Sequence, residues 1–341
     1  LEKINRILKN VINEFLRLWV KWGLSIYFSR TAVSGRGNIP VNTPFIIVAN
    51  HQNALLDPLL IATMTGIKPY FLARADLFKK PLFANLLAII QLIPVFRIRD
   101  GLSSINGNRE SFSQCERLLA ENKAILIFPE GNHSLRRNVR PLSKGFTRIA
   151  FGAMEKYPSL PLSILPIGIS YESHQQVGSA VRIEIGKPLL VASYKEDSRS
   201  LTQAAYDALK ELTVHIPDEG YENTLNTLKA NHIPLTSPDK IRDFLSGQRS
   251  VYSQKQDTGF FKNIRWIPLL FHLPLWFLWK RVKVSIKDPG FYGTFKFVIG
   301  LVGVPLYYVL LILLGWLLGC FVGVFLFAVL AFFSLFLYTK F

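Results

Sequence analysis

The stretch PFIIVANHQNALLDPLL, residues 44–60, decides how this chain is read. Its first half, PFIIVAN (44–50), is a continuous apolar run rich in β-branched residues. Such a run fits a strand covered on both faces; a half-exposed strand would alternate. Its second half sets a histidine, His51, and a carboxylate, Asp57, around a short polar turn, and becomes helical in pattern over 57–65. A strand that enters a helix through such a loop presents both side chains at its carboxyl end, where open α/β sheets gather their ligand sites.

Working outward, PYFLARA (69–75), IPVFRIR (93–99), AILIFPE (124–130), SILPIGISY (163–171) and VRIEIGKPL (181–189) also read as strands. Helical patterns fall between them at 57–65, 78–91, 109–121 and 144–156. The alternation predicts an α/β domain with a mixed, mostly parallel sheet flanked by helices. The expected organisation is an amphipathic interface helix over 1–35, the α/β domain over 36–195, an appended helical segment over 196–265, and a membrane-associated region over 266–341.

Composition points to an anionic, amphiphilic setting. Of 341 residues half are hydrophobic and the formal net charge is +17, with a mean hydropathy of +0.25. Phospholipid head groups, phosphorylated ligands and nucleic acid all fit that charge. Nucleic acid is set aside, because no zinc-finger spacing or RNA-binding aromatic signature accompanies it. Residues 297–339 contain no Asp, Glu, Lys or Arg. About 20 apolar residues cross a bilayer core, so the run has the length of two transmembrane helices. A hairpin turning near GWLLGC (315–320) is expected, with a broken or re-entrant pair as the alternative. The preceding WKRVKVSIK carries Lys280, Arg281, Lys283 and Lys287, and a basic flank reads as cytosolic. IPLLFHLPLWFLW (267–279) is too short to span and holds Pro268 and Pro274, so an interfacial or re-entrant piece is expected.

At the other end, Ile4, Ile7, Leu8, Val11, Ile12, Phe15, Leu18, Trp19 and Trp22 recur at helical spacing opposite Lys3, Arg6, Lys9 and Arg17. A basic amphipathic helix with tryptophans lies in a membrane interface; packing on the protein's own core is the other reading. Cys115 and Cys320 sit in unlike settings, so no disulfide is expected, in keeping with a reducing, cytosol-facing domain.

Three polar positions follow apolar runs: His51, Arg97 with Arg99, and Glu130. In this order, NHQNALLDP (50–58), IPVFR (93–97), FPEGNHS (128–134), PLSKGF (141–146) and ILPIGISY (164–171) resemble the blocks of the glycerolipid acyltransferase superfamily, which includes the lysophosphatidic acid acyltransferases. The resemblance covers roughly residues 40–190. One departure stands out: five residues, QNALL, separate His51 from Asp57, where the family commonly has four. That spacing bears on which acceptor is used.

The resemblance implies a membrane-bound enzyme that moves a fatty acyl chain from acyl-CoA or acyl-carrier protein onto a glycerophosphate hydroxyl, without a cofactor or metal. A hydroxyl is a poor nucleophile at neutral pH, and His51 can take its proton as general base. Asp57 would fix the ring's tautomer and stabilise the imidazolium. The guanidinium of Arg97 can fork onto a phosphate. Glu130, Gly131 and Ser134 of the third block, with Arg140 and Lys144 after it, are the remaining candidate substrate-binding residues. A backbone N–H near Gly131 is a candidate for the oxyanion, while Arg136, Arg137 and Arg148 fit either phosphate binding or a basic membrane-facing surface. His133 reads as local structure; His174, His215, His232 and His272 read as surface or structural.

Lysophosphatidic acid acylated at its 2-hydroxyl is the first expectation for the acceptor. Glycerol 3-phosphate at its 1-hydroxyl and another lyso-lipid are the alternatives. A non-catalytic lipid-binding scaffold would be marked by loss of His51, Asp57 or Glu130, and all three are present. The expected location is a membrane, the bacterial cytoplasmic membrane first, with the catalytic domain facing the cytosol.

Overall fold

The structure is a computed structural model that describes residues 2–78, 90–96, 103–247 and 266–340. Its centre is an eight-stranded sheet of β1 (Arg30–Ser34), β2 (Phe45–Ala49), β3 (Tyr70–Arg74), β4 (Leu92–Val95), β5 (Ala124–Ile127), β6 (Ser163–Tyr171), β7 (Ala180–Ile185) and β8 (Leu189–Leu190). The order across the sheet is β1-β7-β6-β2-β5-β3-β4, and β8 pairs with β6. The β2–β5, β2–β6, β3–β5, β3–β4 and β1–β7 pairs are parallel. The β6–β7 and β6–β8 pairs are antiparallel. This is the mixed, mostly parallel sheet the apolar runs predict.

All five residues of β2 are buried because successive side chains enter opposite cores. Ile47 and Ala49 pack beneath α1 (Glu2–Tyr27) and α2 (Leu56–Met64), with Leu24, Phe28, Leu60 and Ile61. Ile46 and Val48 pack on the other face. There they meet Leu119 of α3 (Ser103–Ala120), Phe146 and Ile149 of α4 (Gly145–Lys156), and Leu201 and Leu209 of α5 (Ser198–Leu212). A smaller core joins α6 (Tyr221–Ala230) and α7 (Pro238–Leu245) through Tyr221, Leu228 and Ile241.

Two strand readings differ from the structure. RTAVS is β1, an edge strand with exposed ends and no fully buried residue, so it lacks the continuous apolar run that marks the central strands. The stretch 181–189 is two strands, β7 and β8, interrupted by Gly186, Lys187 and Pro188; Pro188 has no N–H for a ladder. The helix expected over 78–91 falls almost wholly outside the described residues.

α1 packs on the protein's own core at one end only. Leu24, Tyr27 and Phe28 at its end enter the core, while Leu8, Val11, Phe15, Leu18 and Trp22 remain exposed. Arg17 donates to the carbonyls of Ala62 (2.5 Å) and Ile67 (3.1 Å), and Arg36 donates to Met64 and Thr65. Two guanidinium groups thus satisfy carbonyls at the end of α2.

Near the C-terminus, α8 (Ile267–Phe271) and α9 (Leu273–Ser285) are short helices. Among the described residues, two segments are long and apolar enough to cross a membrane, Pro289–Leu317 and Phe321–Lys340, with mean hydropathies of 2.6 and 2.5. Only 6% and 11% of their apolar windows are buried, so neither is the core helix of a compact body. The first begins eight residues before the uncharged run and includes Lys296, whose ammonium reaches the Gln175 carbonyl at 2.8 Å. It comprises α10 (Tyr292–Val298), a π-turn over Ile299–Gly303, and α11 (Val304–Leu317). The π-turn lies just before Pro305, which cannot donate to the preceding turn. The connection to α12 (Phe321–Lys340) falls where GWLLGC predicts. Gly319 has φ +71°, Cys320 N–H donates to Gly315 (2.8 Å), and Gly319 N–H donates to Trp316 (3.2 Å), the pattern of a Schellman stop. At the far end of α12, Lys340 Nζ donates to the carbonyls of Ser25, Phe28 and Ser29. Both ends of the hairpin therefore return to the α/β domain.

Candidate active site

β2 and β5 are adjacent and parallel, with Val48 opposite Ile127. The loops that leave their carboxyl ends carry the first and third sequence blocks. Asn50 fixes the exit of β2. Its amide donates to the Ile169 carbonyl (2.9 Å) and accepts from the Ile169 N–H (2.8 Å), so a side chain continues the β2–β6 pairing for one more step.

Asp57 lies in the first turn of α2 and is 0% exposed. Its Oδ2 accepts from His51 Nδ1–H (2.9 Å), Gln52 N–H (2.7 Å) and Asn53 N–H (2.7 Å). Its Oδ1 accepts from the Tyr171 hydroxyl at 2.5 Å. A carboxylate surrounded only by donors fixes the proton of His51 on Nδ1 and leaves Nε2 as the basic nitrogen. The ring stacks on Phe128, with centroids 4.1 Å apart and planes inclined by 16°, and its side chain is 14% exposed. The five-residue spacing is accommodated because the carboxylate reaches back over the turn.

Phe128–Gly131 is a tight turn in which the Gly131 N–H donates to the Phe128 carbonyl (3.1 Å) and Gly131 has φ +79°. A glycine tolerates that conformation. The Gly131 N–H is therefore engaged within the turn and does not point toward an oxyanion. The Ser134 N–H donates to the His51 carbonyl (3.0 Å), which ties the third block to the first.

The Glu130 side chain is 2% exposed. Oε2 accepts from Arg140 Nε at 2.7 Å, while Oε1 is buried and has no hydrogen-bond partner among the described residues. Burial pushes the Glu130 carboxyl up to about 7, against the opposing pull of Arg140 and His51. Arg140 also donates to the side chain and the carbonyl of Asn132. Glu130 and Arg140 thus form one ion pair that pins the loop between them. Lys144 sits at the exposed start of α4, and Arg148 is exposed one turn on.

Arg137 takes neither role read for it. It is buried and donates to the carbonyls of Tyr171 and Glu172, and burial lowers its guanidinium to about 10. Arg136 is exposed, pairs with Asp218 (3.3 Å) and lies over the Tyr221 ring. Arg97 and Arg99 lie outside the described residues. Cys115 is buried, which pushes its thiol up to about 12; it and Cys320 are both free.

Several participants were not singled out from sequence. Tyr171 ends a fully buried nine-residue strand and brings a hydroxyl to Asp57 Oδ1. His174 Nε2–H donates to Gln52 Oε1 (3.1 Å), and burial holds that ring well below the usual imidazole range. His133 does more than shape its turn: its ring lies 5.8 Å from that of His51, and Nε2–H donates to Asp288 at 3.1 Å. Burial and the neighbouring His51 lower its pKa, while Asp288 opposes the shift. The polar tip of a buried strand was the one available signal for Tyr171; nothing local marks Asp288.

A His–Asp pair and a buried Glu–Arg pair thus lie on adjacent strand ends. Residues 30–170 match the Acyltransferase family model. Over 99 residues the chain is 36% identical to Glycerol-3-phosphate O-acyltransferase 1 of Saccharomyces cerevisiae, covering 28% of this chain and 12% of that protein. Over 167 residues it is 29% identical to the Probable 1-acyl-sn-glycerol-3-phosphate acyltransferase of Mycoplasma pneumoniae, covering 46% and 54% respectively. The chain thus spans about half or less of the curated relatives it matches. Among solved structures, the 1-acyl-sn-glycerophosphate (LPA) acyltransferase PlsC from Thermotoga maritima superposes with a TM-score of 0.45 at 23% identity, covering 66% of this chain and 83% of that one.

Proposed function

We propose that the protein is a membrane-bound O-acyltransferase that transfers a fatty acyl chain from an acyl-CoA or acyl-carrier-protein thioester to the 2-hydroxyl of lysophosphatidic acid, giving phosphatidic acid. The observation that carries this reading is the grip of Asp57 on His51 Nδ1, which leaves Nε2 free to act as base at the open end of β2. Nε2 takes the acceptor's hydroxyl proton as the oxygen attacks the thioester carbonyl. The tetrahedral intermediate collapses with cleavage of the C–S bond, and the imidazolium returns its proton to the departing thiolate. Asp57 stabilises the imidazolium between these steps. Relatives named for 1-acyl-sn-glycerol-3-phosphate support the acceptor.

Glycerol 3-phosphate acylated at its 1-hydroxyl is the second reading, favoured by the 36% identity to a yeast enzyme named for that substrate. In the proposed arrangement Arg97, Lys144 and Arg148 supply phosphate contacts. The two apolar helices cross the bilayer as a hairpin, and the basic α9 and the catalytic domain lie on the cytosolic side of a bacterial cytoplasmic membrane. Both substrates of such a reaction bear acyl chains or feed an amphiphile, so anchoring keeps enzyme and product together.

The test offers the purified full chain lysophosphatidic acid and glycerol 3-phosphate side by side, each with acyl-CoA and acyl-carrier protein. His51→Ala should abolish turnover and leave melting unchanged. Wild-type turnover by that variant would overturn the general-base role, and product from glycerol 3-phosphate alone would replace the first acceptor by the second.

A further inference from the structure

The segment that leads into the first apolar helix lies against the catalytic loop, although it is outside the residues matched by the family model. Thr294 Oγ1–H donates to Asn53 Oδ1 at 3.0 Å. The same Asn53 oxygen accepts from the Leu56 N–H (3.2 Å), and the Asn53 N–H donates to Asp57 Oδ2 (2.7 Å), which holds His51. Three hydrogen bonds in series therefore connect α10 to the histidine. A Cβ built on Gly293 would lie 2.5 Å from the His174 carbonyl oxygen and 2.8 Å from Asn53 Nδ2. One on Gly290 would lie 2.7 Å from the His133 ring. Backbone approach this close leaves no room for a side chain. Asp288 accepts from His133 beside it, and Phe297, one helical turn past Thr294, is buried in the same core as Leu24 and Tyr27.

We propose that Thr294 is a positioning residue for acyl transfer, and that the juxtamembrane turn Asp288–Thr294 closes the back of the catalytic loop. Seating of the apolar hairpin and turnover are thereby linked. Asn53 Oδ1 is buried, so the Thr294 hydroxyl is a donor that water does not readily replace. Without it the Asn53 side chain reorients, and the two N–H groups that hold Asp57 move with it. The effect falls on the geometry of the base, hence on kcat, and leaves acceptor binding little changed.

This inference rests on the acyl-transfer reading, and the experiment separates the two. The full chain, reconstituted in phospholipid nanodiscs, is assayed as wild type, Thr294→Val, Thr294→Ser, Gly293→Ala and Gly300→Ala, with melting measured on each. Thr294→Val should lower kcat about tenfold, with acceptor KM within about twofold and melting unchanged; Thr294→Ser should restore turnover. Gly293→Ala should be impaired further. Gly300→Ala should match wild type, since its Cβ would have nothing within 4 Å. The proton on His51 Nδ1, followed by NMR in histidine-labelled protein, should shift in Thr294→Val and return in Thr294→Ser. Wild-type kcat and an unmoved proton in Thr294→Val would overturn the proposal, as would a loss shared equally by Thr294→Ser. If the wild type transfers no acyl group yet the proton shifts as expected, the acyl-transfer reading fails and the positioning role stands.

Discussion

Replacing Asp57 by asparagine removes a charge while keeping a shape. Every group around the carboxylate is a donor in the structure: His51, Gln52 and Asn53 on Oδ2, Tyr171 on Oδ1. An asparagine whose carbonyl oxygen takes the Oδ2 site keeps three of these bonds. Its amide nitrogen then faces the Tyr171 oxygen, which can accept. The fold and the His51 tautomer survive, and what is lost is the attraction between carboxylate and imidazolium in the transition state. At about 4 Å and an effective dielectric near 20 that attraction is about 4 kcal/mol, or roughly a thousandfold in kcat. Asp57→Ala loses orientation as well. It leaves two buried N–H groups and a hydroxyl without their acceptor, at about 1–3 kcal/mol each, so it should also melt earlier. The assay compares kcat and melting of wild type, Asp57→Asn and Asp57→Ala under one condition. If the asparagine variant kept kcat within tenfold of wild type, the charge would have no part in turnover; if the two variants matched in both measurements, the donor geometry would have none.

Three further outcomes rest on the same structure. The Glu130 carboxyl is raised from 4.5 to about 7 in the fold, so between those values the native state holds a proton that the unfolded chain has lost. Stability from this group is therefore highest below about pH 4.5 and falls by roughly 3 kcal/mol as pH rises to 7; melting of Glu130→Gln should lack that part of the slope, and an unchanged slope would contradict the assignment. Arg137→Lys cannot fork onto the Tyr171 and Glu172 carbonyls; it should lose about 2–3 kcal/mol of stability, read from its denaturant midpoint. Deleting 304–340 keeps the buried Phe297 but removes most of both apolar helices, and should move the protein from the membrane fraction toward solution. Unchanged partition would count against membrane crossing by the hairpin.

The central strands were legible because they are covered on both faces, which leaves a continuous apolar run such as FIIVA or AILI. β1 escaped because an edge strand need not be apolar throughout. His51, Asp57 and Glu130 were legible because each lies within a few residues of such a run, and the topology of a parallel sheet places strand ends together. Tyr171 and Thr294 were not, since they meet Asp57 and Asn53 across 114 and 241 residues of chain. Their types and neighbours in sequence carry no mark of the partner. The two roles read for Arg137 failed for a related reason: a cation in a basic run reads as exposed, and only its bonds to the Tyr171 and Glu172 carbonyls, 34 and 35 residues on, show that it is buried.

The five residues between His51 and Asp57 bear less on the acceptor than the sequence leads one to expect. Gln52 and Asn53 are both buried. Their N–H groups are spent on Asp57, and their side chains on protein partners: Gln52 on His174 and the Arg136 carbonyl, Asn53 on the start of α2, His174 and Thr294. A residue whose polar atoms are satisfied inside the protein has little left with which to select a substrate. The longer loop instead carries the contact that receives Thr294, in the segment that leads into the first apolar helix. In the proposed reaction, acceptor choice then falls to groups that remain open to solvent, among them Lys144 and Arg148. Exchanging those two cations for glutamine should change the ratio of lysophosphatidic acid to glycerol 3-phosphate turnover more than Gln52→Ala does. The reverse ranking would return specificity to the loop.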